Sequence, residues 1–464
     1  MLRRAIFSIF LIMFVLFLAS CELDDNTVTP NSPFTIDEFF QDGMVLPQNQ
    51  KIEIKGKSEK GVSITGTLYD EKGNKIKRVA TIVDDDDKFL LSFDAPKASN
   101  TFYKFVITDS VNQKTLDDLL FGYYFLYLGD YLPQMPTKTH FTADEKVFCL
   151  QLTNETFEWH HYRNASIAEQ VKALFKALSA KINYPIALID ASIDGAYLDN
   201  YLSIETINNY TNIYKYLKLT ERIDEDDVFN DGVGLMSEEL FKRITNLKID
   251  ALICYQGYQE LAKLDLNNKS LYSLYVNTLN HLYTELANQF NAPCFTIQSG
   301  YEMVEDIAEI RVLQAMPSFN MKNVTLIPTY DCYSEEGIEE EKFLTRISSM
   351  IYANLFTKHK EYALSLSDII HNDDEIILSF FGTGSLVSVN EVYGLVIAIN
   401  GVEYLNYELE FNNNELIINL DLKDYDEVID DIMISYGFTE DIYNCNLLST
   451  KGLPVVPFNI NLDL

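Results

Sequence analysis

Between about Leu119 and Phe356 short apolar runs alternate with segments that repeat apolar residues every three or four positions, and this alternation restricts the fold more than any other property of the chain. The runs are Phe125-Leu-Tyr-Leu-Gly129, Ile186-Ala-Leu-Ile-Asp190, Ala251-Leu-Ile-Cys-Tyr255, Phe295-Thr-Ile-Gln298 and Val324-Thr-Leu-Ile-Pro328. Because they are apolar at nearly every position, they predict strands buried on both faces. Ile167, Val171, Leu174, Phe175, Leu178 and Ile182 fall on one face of a helix, and further helices are expected from about Leu271 to Phe290 and from Lys342 to Phe356. Buried strands interleaved with amphipathic helices make a parallel, doubly wound α/β sheet. Such sheets place their sites beyond the carboxyl ends of the strands, so the residues that follow each run are the first candidates for chemistry.

The flanks read differently. From Phe34 to about Leu116, runs such as Lys51-Ile-Glu-Ile-Lys-Gly56 and Tyr103-Lys-Phe-Val-Ile-Thr108 alternate with period two, which predicts antiparallel strands. The run Asp84-Asp-Asp-Asp87 lacks the alternate spacing and central Gly of a calcium loop and reads as a solvated hairpin turn. Strand patterns return from about Ser365, for example Glu375-Ile-Ile-Leu-Ser-Phe380 and Gly394-Leu-Val-Ile-Ala-Ile399. The two β blocks are either separate modules or one sandwich interrupted by a large insertion.

Composition narrows function. With 36 Lys+Arg against 69 Asp+Glu in 464 residues, the net charge is −33, and a phosphate backbone would be repelled. No nucleic acid partner is expected. Wholesale disorder is excluded by 29 Phe and 29 Tyr, enough to build a core. Six Cys are too few for a disulfide scaffold of this length.

Leu2-Arg-Arg4 followed by an apolar run from Ala5 to Ala19 reads as a secretory signal spanning residues 1–20. Its end, Leu18-Ala-Ser-Cys21, resembles a bacterial lipobox, and that resemblance implies a lipidated Cys21 anchoring the mature chain. Residues 21–33, polar with two prolines, would form the tether. The expected location is the bacterial cell envelope, lipid-anchored; the acidic start of the tether is similar to surface-export signals. The remaining five Cys are odd in number and include no C-x-x-C pair, so neither redox chemistry nor a metal site is expected.

Several stretches carry a family resemblance in chain order. They are Asp42-Gly-Met-Val-Leu-Pro-Gln48, Leu116-Asp-Asp-Leu-Leu-Phe-Gly122, Pro185-Ile-Ala-Leu-Ile-Asp-Ala-Ser-Ile-Asp-Gly195, Tyr255-Gln-Gly257 and Gly452-Leu-Pro-Val-Val-Pro-Phe458. Together they resemble the sialate O-acetylesterase family of SGNH-type hydrolases. The resemblance implies a flavodoxin-like SGNH-hydrolase domain with a parallel sheet, at 117–360. It would be inserted into a β-sandwich formed by N-terminal (34–116) and C-terminal (361–464) segments. It also implies deacetylation of sialic acids or other glycans by a Ser nucleophile and a His base, without a cofactor.

The motif positions depart from that chemistry. The family's G-Q-S-N-M-E-M-P aligns with Gly129-Asp-Tyr-Leu-Pro-Gln-Met-Pro136, which puts Tyr131 where the nucleophile belongs. A phenol that ionises near 10 is a poor acyl acceptor. The oxyanion Gly-Gly-Thr reads Asp194-Gly195-Ala196, the donor Asn becomes Glu260, an acceptor when ionised, and Glu339 stands at the His position. Asp130, Asp194, Glu260 and Glu339 are expected around one cleft. Gln256, Gln298, Arg311 and Gln314 match the family's cleft wall and could bind sugar hydroxyls or simply satisfy backbone groups; Tyr131, Tyr258 and Tyr301 are candidate stacking surfaces.

The first reading is therefore a non-catalytic envelope lipoprotein with an esterase fold, binding glycan or another partner. The alternative is an active carbohydrate O-acetylesterase or hydrolase using carboxylate or Tyr residues, and the third is a purely structural envelope protein. An acidic cleft would repel the carboxylate of sialic acid, which counts against the family's own substrate.

Overall fold

The computed structural model describes residue 30 and residues 32–135, 146–153, 156–261, 269–300, 307–372, 374–423, 425, 428–439 and 442–463. It divides into two compact units, one of residues up to Pro96 with Thr101–Leu120, the other of Lys97–Asn100 with Phe121–Leu464.

In the first unit the period-two segments form antiparallel strands. Lys51–Lys57 pairs with Lys88–Asp94, and Ser63–Asp70 with Lys75–Ile82. In Lys51–Lys57 and Lys88–Asp94 alternate side chains turn inward, whereas Lys75–Ile82 stays largely exposed, and Phe93 stacks on Phe105 at 5.0 Å. The acidic run forms the turn before Lys88–Asp94: the Asp84 carboxylate accepts the N–H groups of Asp86 (3.0 Å) and Lys88 (2.8 Å).

The second unit holds a large mixed sheet. Its order runs Thr156–His161, Val147–Thr153, Ile186–Ser192, the Phe121–Gly129 part of the Gln113–Gly129 strand, Ala251–Tyr255, Cys294–Ile297 and Val324–Ile327. All neighbours are parallel except Thr156–His161, which returns antiparallel along Val147–Thr153. Without that hairpin the parallel strands stand in the order 2-1-3-4-5 of doubly wound sheets.

Pleating sends alternate residues to opposite faces. Phe125, Tyr127, Leu188, Ile253 and Phe295 share a core with Val171, Leu174 and Phe175 of the Glu169–Ile182 helix and with Phe343 and Ile347 of the Glu340–Phe356 helix. On the other face Tyr283, from the Lys269–Phe290 helix, donates its hydroxyl to Thr296 at 2.9 Å.

The C-terminal segment adds two four-stranded antiparallel sheets. One contains Glu375–Phe381 and Glu415–Leu420, the other Leu395–Ile399 and Asp431–Tyr436. Leu378, Ile418, Ile397 and Ile434 fill a common core between them.

Candidate functional site

The central strand ends at Gly129, whose φ of +107° favours glycine and where a Cβ would lie 1.9 Å from the Tyr255 carbonyl oxygen. This close approach lets Asp130 donate its N–H to Tyr255 O at 2.7 Å. The Tyr201 hydroxyl lies 2.9 Å from the carbonyl oxygens of both Gly129 and Ala191, fastening the ends of two neighbouring strands. The loops carrying Asp130 and Gly195 are thereby fixed side by side.

Asp130 is buried, 5% exposed, and one of its carboxylate oxygens accepts two backbone N–H groups, from Tyr131 at 2.7 Å and from Gly195 at 3.0 Å. Burial raises its pKa; the two N–H groups oppose that shift, and the charge of Asp194 adds to it. Tyr131 projects outward, 42% exposed, onto a cavity of about 480 Å³ that Asp190, Ser192, Gln151 and Glu239 also line. Burial and the carboxylates of Asp190, Asp194 and Asp130 push the Tyr131 phenol up. A phenol held from ionising is a still poorer nucleophile.

Glu260 is a buried acid. It is 1% exposed, and burial, reinforced by Asp199 and Asp130, lifts its pKa to about 8 despite the opposing Leu198 N–H. Burial thus favours the protonated acid, which can donate a hydrogen bond that the ionised group cannot. One carboxyl oxygen accepts the Leu198 N–H at 2.6 Å; the other is buried without a partner among the described residues.

The four cleft-wall residues are all buried. Gln298 donates to the Arg311 carbonyl at 2.9 Å, and Arg311 donates to the carbonyls of Ser299 (3.2 Å) and Gly300. Gln314 accepts the Ser299 N–H at 2.9 Å and donates to the Gln256 carbonyl. These bonds fasten the loops after two adjacent strands, and none of the four side chains lines the cavity of Tyr131.

Glu339 stands apart from that cavity. It is exposed just before the Glu340–Phe356 helix and lines a separate cavity of about 640 Å³ with Lys342 and Arg346. Beside it Asp331 takes a bidentate pair of bonds from Arg346, both 2.8 Å. Among the described residues no group of three or more His, Cys, Asp or Glu could hold a metal ion, and no helix is long and apolar enough to cross a membrane. Cys21 and Tyr301 lie outside the described residues, as does the side chain of Tyr258.

The fold is similar to that of a carbohydrate acetylesterase. The Xanthomonas citri enzyme of that description superposes with a TM-score of 0.70 over 92% of this chain and 99% of its own, at 15% sequence identity. At that identity the likeness is one of fold. A family 2 carbohydrate esterase with a carbohydrate-binding domain, from Corynascus thermopiles (Myceliophthora fergusii), gives a TM-score of 0.30 at 11% identity over 70% of this chain and 99% of its own. One from Cellvibrio japonicus gives 0.27 at 10% identity over 71% and 98%. No protein-family model and no curated protein sequence matches the chain.

On this carbohydrate acetylesterase-like fold, no Lys, Arg or His lines the Tyr131 cavity among the described residues. Asp190 and Glu239 were not anticipated as part of it. Asp190 does sit within a strand that the sequence marks clearly, Ile186–Ser192, and its carboxylate accepts from the Ser192 hydroxyl at 2.7 Å. Strand ends were the available signal. Glu239 lies in the one-turn segment Ser237–Phe241, which no periodicity announces.

Proposed function

We propose that the protein is a carbohydrate-binding envelope lipoprotein that keeps an esterase fold without ester turnover, anchored through a lipid on Cys21. The observation that carries this reading is the engagement of the Tyr131 and Gly195 N–H groups by the Asp130 carboxylate. By the resemblance to sialate O-acetylesterases, the Gly195 position contributes to the oxyanion hole, and Tyr131 stands in place of the nucleophile. A donor already bonded to a carboxylate cannot stabilise a developing oxyanion, and removal of one such donor costs roughly 10²–10³-fold in rate. The finer architecture belongs to the same proposal: a flavodoxin-like SGNH-type domain inserted into a sandwich of both chain ends. The 2-1-3-4-5 strand order supports its first half.

In this reading Gln298, Arg311 and Gln314, with Gln256, brace the loops of the domain from within, and sugar meets Tyr131 and its cavity. The test is turnover of acetylated sugars and a generic acetyl ester by the purified protein, alongside a glycan array. Glycan binding that falls on Tyr131→Ala, with no turnover, is the expected result. Turnover abolished by Glu260→Gln or Asp130→Asn would replace it with the second reading, an active carbohydrate O-acetylesterase, which the neutral Glu260 acid favours. Metabolic labelling with an alkyne fatty acid, lost in Cys21→Ala, checks the anchor.

A further inference from the structure

We infer that the Tyr131 cavity takes an amine-bearing sugar, a glycan unit with a free ammonium group, rather than a sialylated or other anionic one. The inference rests on the carbohydrate-binding reading above and names the ligand class of the same site.

The cavity of about 480 Å³ has a lining of mixed character, apolar and acidic. Leu152, Ile167 and Met236 supply apolar lining, and the half-exposed Tyr131 ring offers a flat surface on which the carbon face of a pyranose can lie. The polar lining contains acceptors in excess: the carboxylates of Asp190 and Glu239, with Ser192 and Gln151. The Ser192 hydroxyl is spent on Asp190 at 2.7 Å, and the Gln151 amide donates to the Ser166 carbonyl at 3.1 Å and accepts its N–H at 3.2 Å. Ser192 and Gln151 therefore leave the two carboxylates as the principal polar partners for a ligand in the cavity. Asp130 and Asp194 add negative charge close enough to bear on Tyr131.

A neutral sugar hydroxyl can donate one hydrogen bond to such a lining. An ammonium donates up to three and brings the opposite charge, whereas a sugar carboxylate would face repulsion with no cation among the described lining residues to receive it.

The experiment is titration calorimetry of the purified protein with three probes: a β-1,4-linked glucosamine trimer, its fully N-acetylated counterpart, and a sialylated trisaccharide. The expected result is that the glucosamine trimer binds about ten-fold tighter than the acetylated one, a gap of the size a charge-assisted bond supplies, and that the sialylated probe does not bind. The preference should shrink in Glu239→Gln, an exposed position whose change leaves the fold intact, and in Asp190→Asn. If the acetylated or sialylated probe binds as tightly as the amine and binding is lost in Tyr131→Ala, the inference is overturned while the carbohydrate-binding reading stands. If none of the three binds, or binding ignores Tyr131→Ala, both fall.

Discussion

The carboxylate of Asp130 accepts the backbone N–H of Gly195 at 3.0 Å, across 65 residues of chain. The same oxygen holds the Tyr131 N–H. Asp130→Ala would leave a half-buried donor unpaired, which typically costs about 1–3 kcal/mol. Urea unfolding should show that loss, with a smaller one for Asp130→Asn, which keeps an acceptor. Amide exchange at Gly195 should quicken in the alanine variant.

Glu260 makes stability depend on pH in a defined direction. An ordinary glutamate in an unfolded chain ionises near about 4.3, whereas this one ionises at about 8 in the fold. Between those values the folded state binds more protons than the unfolded state. Its contribution is thus complete below about pH 4 and erodes toward pH 8, at up to about 1.4 kcal/mol per pH unit. Glu260→Gln should remove that slope, so that the variant gains on the parent as pH rises from 5 to 8 in denaturant titrations.

Asp331 and Arg346 join the loop after the Val324–Ile327 strand to the Glu340–Phe356 helix through two bonds of 2.8 Å, both side chains only 9% exposed. Removing one partner of such a pair leaves the other charge buried. Asp331→Ala should cost about 3–5 kcal/mol, measurable by urea unfolding, and the double variant with Arg346→Met should recover part of it.

At Gly129 a methyl group would collide with the backbone of Tyr255 and the φ of +107° would be strained. Gly129→Ala should lose about 3 kcal/mol or more. Gly73→Ala, with φ +79° and open space around it, serves as the control, with an expected cost of about 1 kcal/mol.

The five described cysteines are all buried and unpaired, and burial pushes Cys254, Cys332 and Cys445 up to about 12. They should resist a thiol-specific reagent at pH 8 in the native protein and all react in urea.

The strands of the parallel sheet were legible because burial on both faces writes itself into consecutive apolar residues: Ala251–Tyr255 lies where it was expected, and Ile186–Ser192 extends the expected run by two residues. The Val147–Thr153 and Thr156–His161 hairpin was not anticipated. Gln151, Glu158, His160 and His161 interrupt its apolar pattern, and Thr156–His161 forms the edge of the sheet, where one neighbour suffices. The helix from Glu169 was visible in its 3.6-residue face, of which Val171, Leu174, Phe175, Leu178 and Ile182 are buried. Within the site, motif spacing identified Tyr131 and Gly195 as positions of interest. It could not reveal that Asp130 bridges them, nor that burial would keep Glu260 protonated, because both depend on contacts between residues distant in sequence. Glu339 was placed by alignment with a family loop, and the structure puts it on a different cavity from Tyr131.

The strand at the centre of the sheet is made early in the chain, but its two flanking partners, Ile186–Ser192 and Ala251–Tyr255, come much later. During synthesis Phe125–Gly129 must wait, with apolar side chains on both faces, until Tyr255 has emerged before its second edge is covered. Long-range closure of this kind slows folding and leaves an unpaired edge exposed in the meantime. A chain halted before Ala251 would therefore carry its most apolar strand uncovered, a state suited to capture by a holding chaperone and poorly suited to standing alone.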